Sequence, residues 1–432
     1  MTTAAPTQEA VYLDASRRLA SAEPLPSFAA RLREHGAERF AALGFPTARR
    51  GNEYWKYTDV APIARGAFAL PERPSPAPPP PPVVEGAAVA TLSDGFVAGA
   101  PGAIAGGAYA GSLRGAPAAA LEAAERALGA AADFEGEAFA ALNTALMQDV
   151  FMLYAPAGAR LPAPIHLAVT TAPGAASQPR ALIVCERGAE ASVIISHAGE
   201  AGAPYFANTI TEVALAADAR LRLFHLRNHP ANALHVETTS ARLDRDAAMR
   251  SFVFDQGAGL VRHNLNVALA EPGASADAAG VSVTGRRAHL DNHLFLHHES
   301  AETHSSALYK GVALGASRTV FIGRVLVPQN SQRISTRLTN KSLLLSPDAE
   351  VDSQPLLEIY ADDIAATHGS AVGQLDEEAL FYLNSRGIGA ETATAMLING
   401  FLAEAVAELE PASLAAYAEA AVRAALSGGA EA

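Results

Sequence analysis

Cysteine is nearly absent from this 432-residue chain, where Cys185 is the single thiol. One thiol makes no internal disulfide, no all-cysteine zinc site and no complete iron–sulfur cage, so any such cluster needs ligands from a second chain. Lysine is almost as scarce, represented by Lys56, Lys310 and Lys341, and the net charge of −13 leaves no basic arm for nucleic acid. None of these lysines follows a glycine, which removes the phosphate-gripping G-x-x-x-x-G-K-[ST] loop; H-E-x-x-H and G-x-S-x-G are missing too. Gly257-Ala258-Gly259 and Gly387-Ile388-Gly389 lack the third spaced glycine of a dinucleotide fingerprint and read as turns. Long hydrophobic runs are also wanting. The most apolar stretch, around Val97 to Leu113, is rich in Gly and Ala, and Met1 to Ala20 has early acidic residues but no apolar export core. The expectation is a soluble cytoplasmic protein that binds neither membrane nor nucleic acid.

Half of the residues are apolar, enough for a large core spread over two or three domains. Residues 1–70 predict a helical region, with Ser27, Phe28, Leu32, Phe40 and Leu43 near helical spacing before Gly44-Phe45-Pro46. Residues 71–83 form a linker: eight prolines between Pro71 and Pro82 enforce extended chain. Residues 84–155 read as mixed α/β, with helices over Pro117 to Leu128 and Phe139 to Met147. Helices return over residues 375–432, where Asp376-Glu377-Glu378 supplies an acidic start and Arg386-Gly387-Ile388-Gly389 a break. A second helix carries Met396, Leu397, Leu402 and Val406, and Pro411 begins a third.

Residues 156–374 are built of short alternating strands such as Arg220 to Leu226 and Val320 to Val327. Tight turns at Gly188-Ala189, Asp218-Ala219, Asp246-Ala247, Gly273-Ala274 and Ser300-Ala301 recur roughly every 27 to 30 residues. Gly315-Ala316, Asn330-Ser331 and Asp348-Ala349 follow at about half that interval, as two turns per coil require. Stacked coils share one apolar interior and hydrogen-bond coil to coil, which favours a β-helix. Propeller blades fit the period less well, and a sandwich remains an alternative. The C-terminal helices are expected to cap the open end of the solenoid.

Several residues are candidates for chemistry. His289, His293 and His297 share strand parity with Asp291, and His298, Glu299 and His304 follow. Four-residue steps along a strand put the imidazoles roughly 13 Å apart, too far for one metal. They read as a solvated or interface face, and so do His225, His229 and His235. Cys185 ends an apolar run and reads as a buried, inert thiol. The richest segment is Leu357 to Gly369, where Asp362, Asp363, Thr367 and His368 stand just before strands give way to helices. The two aspartates suit either a turn or acid–base chemistry, and His368 suits a metal.

That segment, together with Tyr309-Lys310-Gly311, Gly323, Thr339 to Leu345, Arg386-Gly387-Ile388 and the N-terminal Arg50 to Thr58, resembles the SufB/SufD family of the SUF iron–sulfur assembly system. With no cysteine near His368, it is more similar to the SufD branch. The resemblance implies a right-handed parallel β-helix flanked by N- and C-terminal helical regions. It also implies a non-ATPase scaffold subunit in a complex of one SufB, two SufC ATPases and one SufD. His368 then falls on a histidine that lends a ligand to a transient cluster shared with SufB, beside Thr367, Asp362 and Asp363. No cluster is then held stably by this chain alone, and because the strand edge meant for SufB can pair with itself, a homodimer is a possible state of the isolated chain. Many relatives read Cys-Ser-His where this chain has Ala366-Thr367-His368. Asp376, Glu377, Phe381, Tyr382, Leu383 and Arg386 map to the surface that docks SufC, although the aromatics are equally readable as core and Arg386 as a cap. Two other functions account for the same residues: a purely structural stabiliser of SufB, or a β-helix polysaccharide lyase or hydrolase using Asp362, Asp363 and His368.

Overall fold

A computed structural model describes residues 7–20, 25–48, 52–76, 83–200, 202–407, 409 and 412–428. Arg50 and Gly51, residues 77–82 of the proline linker, and Pro411 lie outside the described residues.

The strands form two facing sheets. The first runs through Ala88–Ser93, Ile165–Thr171, Glu190–Gly199, Arg220–Asn228, Ala248–Asp255, Ser275–Thr284, His304–Ala313, Ile334–Leu344 and Ile364–Gly373. The second runs through Phe151–Ala155, Arg180–Cys185, Tyr205–Leu215, Ala233–Leu243, Leu260–Leu269, His289–His298, Arg318–Val327 and Glu350–Ile359. Neighbours within each series are parallel, and the chain alternates between sheets, winding a β-helix of about eight coils. The stack already takes in strands before residue 156, because Ala88–Ser93 pairs with Ile165–Thr171 and Phe151–Ala155 with Arg180–Cys185.

The recurring turn of the sequence is one corner of this coil. Gly158, Gly188, Asp218, Asp246, Gly273 and Glu302 adopt positive φ there, a conformation most accessible to glycine and tolerated by aspartate. The corners stack by hydrogen bonds from Gly188 N to Ala217 O (2.9 Å), Asp218 N to Arg245 O (2.9 Å) and Asp246 N to Pro272 O (3.1 Å). Ala189, Ala219, Ala247 and Ala274, next in sequence, are buried in the core. At the next corner the left-handed residue is Glu302, just beyond Ser300-Ala301. Gly315 and Asp348-Ala349 lie at the opposite corner, which produces the halved interval.

Between the sheets lie Val193, Ile195, Val213, Leu215, Leu221, Leu223, Leu243 and Leu265, all buried. Removing this continuous apolar face from water is the main drive for coiling. The outer face of the second sheet is covered by α1 (Gln8–Ala20), α2 (Ser27–Leu43), α3 (Ala61–Arg65), α4 (Ala118–Ala127) and α5 (Ala138–Ala145). After the last coil come α6 (Glu377–Ser385), α7 (Ala390–Val406) and α8 (Ala412–Gly428). Ile398 and Leu402 of α7 and Leu414 and Val422 of α8 pack on Phe224, Phe252, Phe254, Val281 and Val312, which face outward from the first sheet. The expected cap is therefore a flank. Outward aromatics and valines make that side of the solenoid the surface an apolar helix pair needs, and the end strands Glu350–Ile359 and Ile364–Gly373 stay uncovered.

Candidate functional site

Among the described residues each sheet ends in a strand with no neighbour beyond it, so a row of backbone donors and acceptors is left open along the last coil. Register sets His368 opposite Leu338 and Thr367 opposite Arg337. Leu338 is buried between the sheets, so parity aims His368 along the interior side of the coil. No further coil covers it, and it is exposed. Ser370, on the same parity, donates to Ser353 of the facing strand at 2.8 Å, and Asn340 donates to the same hydroxyl at 2.7 Å. Beside His368, Gly369 leaves open space where a side chain would stand.

Asp362 and Asp363 occupy the corner between the two end strands, and both are exposed. The Asp363 amide donates to Gln332 Oε1 at 2.9 Å and its carbonyl accepts from Arg333 N at 2.7 Å, so its backbone seals the corner onto the coil beneath. Five residues of strand, roughly 16 Å, separate it from His368. The structure thus keeps the two aspartates and the histidine apart, and no acid–base group forms from them.

Helix α6 begins where the sequence placed a helix start. Asp376 caps it, accepting from Glu378 N at 2.9 Å and Ala379 N at 3.3 Å, and Glu377 and Glu378 fill the first turn. The helix buries no residue. Phe381 and Tyr382 are 75% and 57% exposed, which removes the core reading of these aromatics. They line an open hollow with Glu377, Glu378 and Ser385. Arg386 stands over the Tyr382 ring, 5.1 Å from its centroid, and Leu383 is half-buried.

Most of the other candidate residues lie inside the molecule. Cys185 is fully buried in the core, and burial pushes its thiol up to about 12, as an inert thiol requires. Of the histidines expected on a solvated face, His304 is exposed and His297 is half-buried beside an exposed Glu299, but His225, His229, His235 and His298 are buried. Asp291, His289 and His293 do face outward from the second sheet, but the segment Tyr54 to Thr58 lies over them. The Arg262 guanidinium is held between the rings of Tyr54 and Trp55, 4.4 and 3.8 Å from their centroids, and its Nη1 reaches Asp291 Oδ2 at 3.0 Å. Thr58 Oγ1 donates to the same oxygen at 2.5 Å, and His293 Nε2 lies 2.9 Å from Asp291 Oδ1. Burial would raise Asp291, but Arg262 and His293 outweigh it and hold the carboxyl well below the usual range. The N-terminal motif is thus a fastening of the helical region to the solenoid. Lys310 does the same for the C-terminal region, its Nζ lying 2.6 Å from both Phe401 O and Glu404 Oε2.

Two family descriptions match the chain: SUF system FeS cluster assembly, SufBD core domain, over residues 168–401, and SufBD protein N-terminal region, over residues 10–167. The chain is 33% identical over 217 residues to the iron-sulfur cluster assembly protein SufD of Escherichia coli, which covers 50% of this chain and 51% of that one. It is 31% identical over 293 residues to an iron-sulfur cluster assembly SufBD family protein of Synechocystis, 64% of each chain. With protein ABCI7, chloroplastic, of Arabidopsis thaliana it shares 29% over 332 residues, 73% of this chain and 69% of that one. The matches thus span about half the length of the bacterial SufD and just under two thirds of the Synechocystis relative.

Proposed function

The chain belongs to the SufBD family of the SUF iron–sulfur cluster assembly system, and from that premise we propose that it is the SufD-type, non-ATPase subunit of a cytoplasmic assembly complex. It pairs with SufB along the open end of the solenoid, docks SufC on α6, and lends His368 to a cluster that is cargo rather than a resident cofactor. The assembly contains one SufB, two SufC and one copy of this chain. The observation that carries the reading is the uncovered last coil, whose exposed, inward-parity imidazole lies on a strand with one edge left open. A second chain added there continues the sheet and brings its own ligands to His368, which a chain with one buried thiol needs. The exposed Phe381 and Tyr382, rimmed by Glu377, Glu378 and Arg386, have the aromatic and charged make-up of a docking surface. ATP hydrolysis is assigned to SufC, since this sequence has no phosphate-gripping loop.

Co-expression with SufB and SufC, followed by mass determination and anaerobic iron and sulfide analysis, tests the proposal. His368→Ala leaves the assembly at the same mass but with iron and sulfide reduced to the level of a complex lacking the ligand. Unchanged iron and sulfide in the variant would leave the chain a structural stabiliser of SufB. Failure of the unmodified chain to join the two partners would overturn the partner assignment itself.

A further inference from the structure

The interior of the β-helix has an apolar core flanked by buried polar side chains in several coils, and the charged ones gather where Glu190–Gly199, Arg220–Asn228 and Ala233–Leu243 meet. There His197, His225, Arg227, His235 and Glu237 take inward positions, with His229 in the adjoining loop, and all are buried. Glu237 uses one oxygen fully: Oε2 accepts from Arg227 Nε at 2.7 Å and lies 2.6 Å from Nη2, while Asp255 holds Nη1 of the same guanidinium at 3.1 Å. The other oxygen, Oε1, faces His225 Nδ1 at 2.9 Å and His197 Nε2 at 3.3 Å. Yet none of these three atoms makes an aligned hydrogen bond, although each is shut off from water. Leaving one such atom unpaired costs about 1–3 kcal/mol, and three that converge call for a common partner.

All three atoms lie within 4.8 Å of one another. Donors bound at about 2.1 Å around a tetrahedral ion stand roughly 3.4 Å apart, close to the 2.9 and 3.3 Å separations here. We infer that His197, His225 and Glu237 bind a divalent first-row transition-metal ion, Zn(II) or Fe(II), inside the β-helix. Two imidazoles and one carboxylate suit either ion. Arg227 acts as a positioning residue, since its grip on Oε2 turns Oε1 toward the imidazoles. His229 and His235 engage each other at 2.8 Å, and Tyr205 and Thr209 take their remaining nitrogens at 3.1 and 3.2 Å, so this pair walls the site. The ion clamps two adjacent strands of the first sheet to one strand of the second. It lies five strand spacings along the sheet from the strand bearing His368, roughly 24 Å, and the inference stands independently of the cluster proposal.

The full chain is analysed for metal as isolated, then unfolded with chelator and refolded with or without Co(II), a visible-absorbing substitute for both ions. One Co(II) per chain is expected, with tetrahedral d–d bands, a higher melting temperature than the metal-free form, and displacement by whichever of Zn(II) and Fe(II) the isolated chain contains. Glu237→Gln reduces affinity by more than the ~10–100-fold typical of outer-shell changes. Should that variant fail to fold because Arg227 loses its partner, His197→Asn removes a ligand and leaves the Arg227 pair intact. His368→Ala keeps the bands, which separates this site from the cluster ligand. Wild-type chain refolding without bound Co(II), or His197→Asn binding it as tightly as wild type, overturns the assignment.

Discussion

His298 points into the last third of the solenoid, its Nδ1 2.7 Å from Thr303 Oγ1 and its Nε2 2.9 Å from Ser305 Oγ. Burial, helped by the neighbouring His297 and His304, lowers its proton affinity to about 4, against ~6.5 for an imidazole in the unfolded chain. Between these values the unfolded chain binds the extra proton, so this stability is complete above about pH 6.5 and is lost as pH falls toward 4, by ~3 kcal/mol at most. Urea midpoints measured from pH 7 to 4.5 should therefore fall less steeply for His298→Gln than for wild type, and equal slopes would show that His298 takes up its proton without cost to the fold. Individual residues were legible in the sequence where one periodicity sufficed. Cys185 is buried because it continues the alternation of Ala181 and Ile183. His225 and His289 were not, because both occupy odd positions of apparently similar strands, yet corners of unequal length reset the parity between them. His225 faces Glu237 inside the coil, and His289 faces Thr58 outside it at 2.9 Å. Arg262 gave no sequence signal, since its partners Tyr54 and Trp55 on one side and Asp291 on the other come from two segments far from it in sequence.

Elements were easier to read than their neighbours. The Gly-Ala and Asp-Ala turns announced the coil because left-handed backbone followed by a buried methyl recurs at four successive turns of that corner, Gly188, Asp218, Asp246 and Gly273. The α6 start followed from its Asp376 cap, whereas the resting place of α7 and α8 depended on outward residues contributed by several coils, which no single window contains. Lys310 tests that docking. Its ammonium is 5% exposed on the sheet side, while Glu404 remains open to water, so Lys310→Met strands no buried charge and removes two contacts, the one to the Phe401 carbonyl worth about 1.5–3 kcal/mol and the screened one to Glu404 about 1 kcal/mol or less. Hydrogen exchange should show faster opening of α7 and α8 with unchanged protection in Ile334–Leu344. Loss of protection in both at once would mean that the helical region and the solenoid open as one unit.

At the scale of the molecule, the two ends of the solenoid are treated differently. At the N-terminal end, the first sheet closes with the antiparallel strand Phe96–Gly99 and the second with Ala108–Ser112 and Gly102–Ile104. At the other end, Ile364–Gly373 is ten residues long, with no charge and no proline to discourage pairing, and it is exposed along most of its length. Edge strands are ordinarily blunted by such devices, so an undefended one is either a liability or an interface. Given the partner proposed for it, the same edge should pair with a second copy when the chain is alone, giving a two-fold dimer. Thr367→Lys with Ala371→Lys puts two ammonium groups on the outward parity of this strand, where neither disturbs the interior and each meets like charge across the dimer axis. Sedimentation should then show a concentration-dependent dimer for wild type and a monomer for the double variant at unchanged melting temperature. A dimer that survives both lysines would place self-association elsewhere on the surface and leave the open end without evidence of pairing.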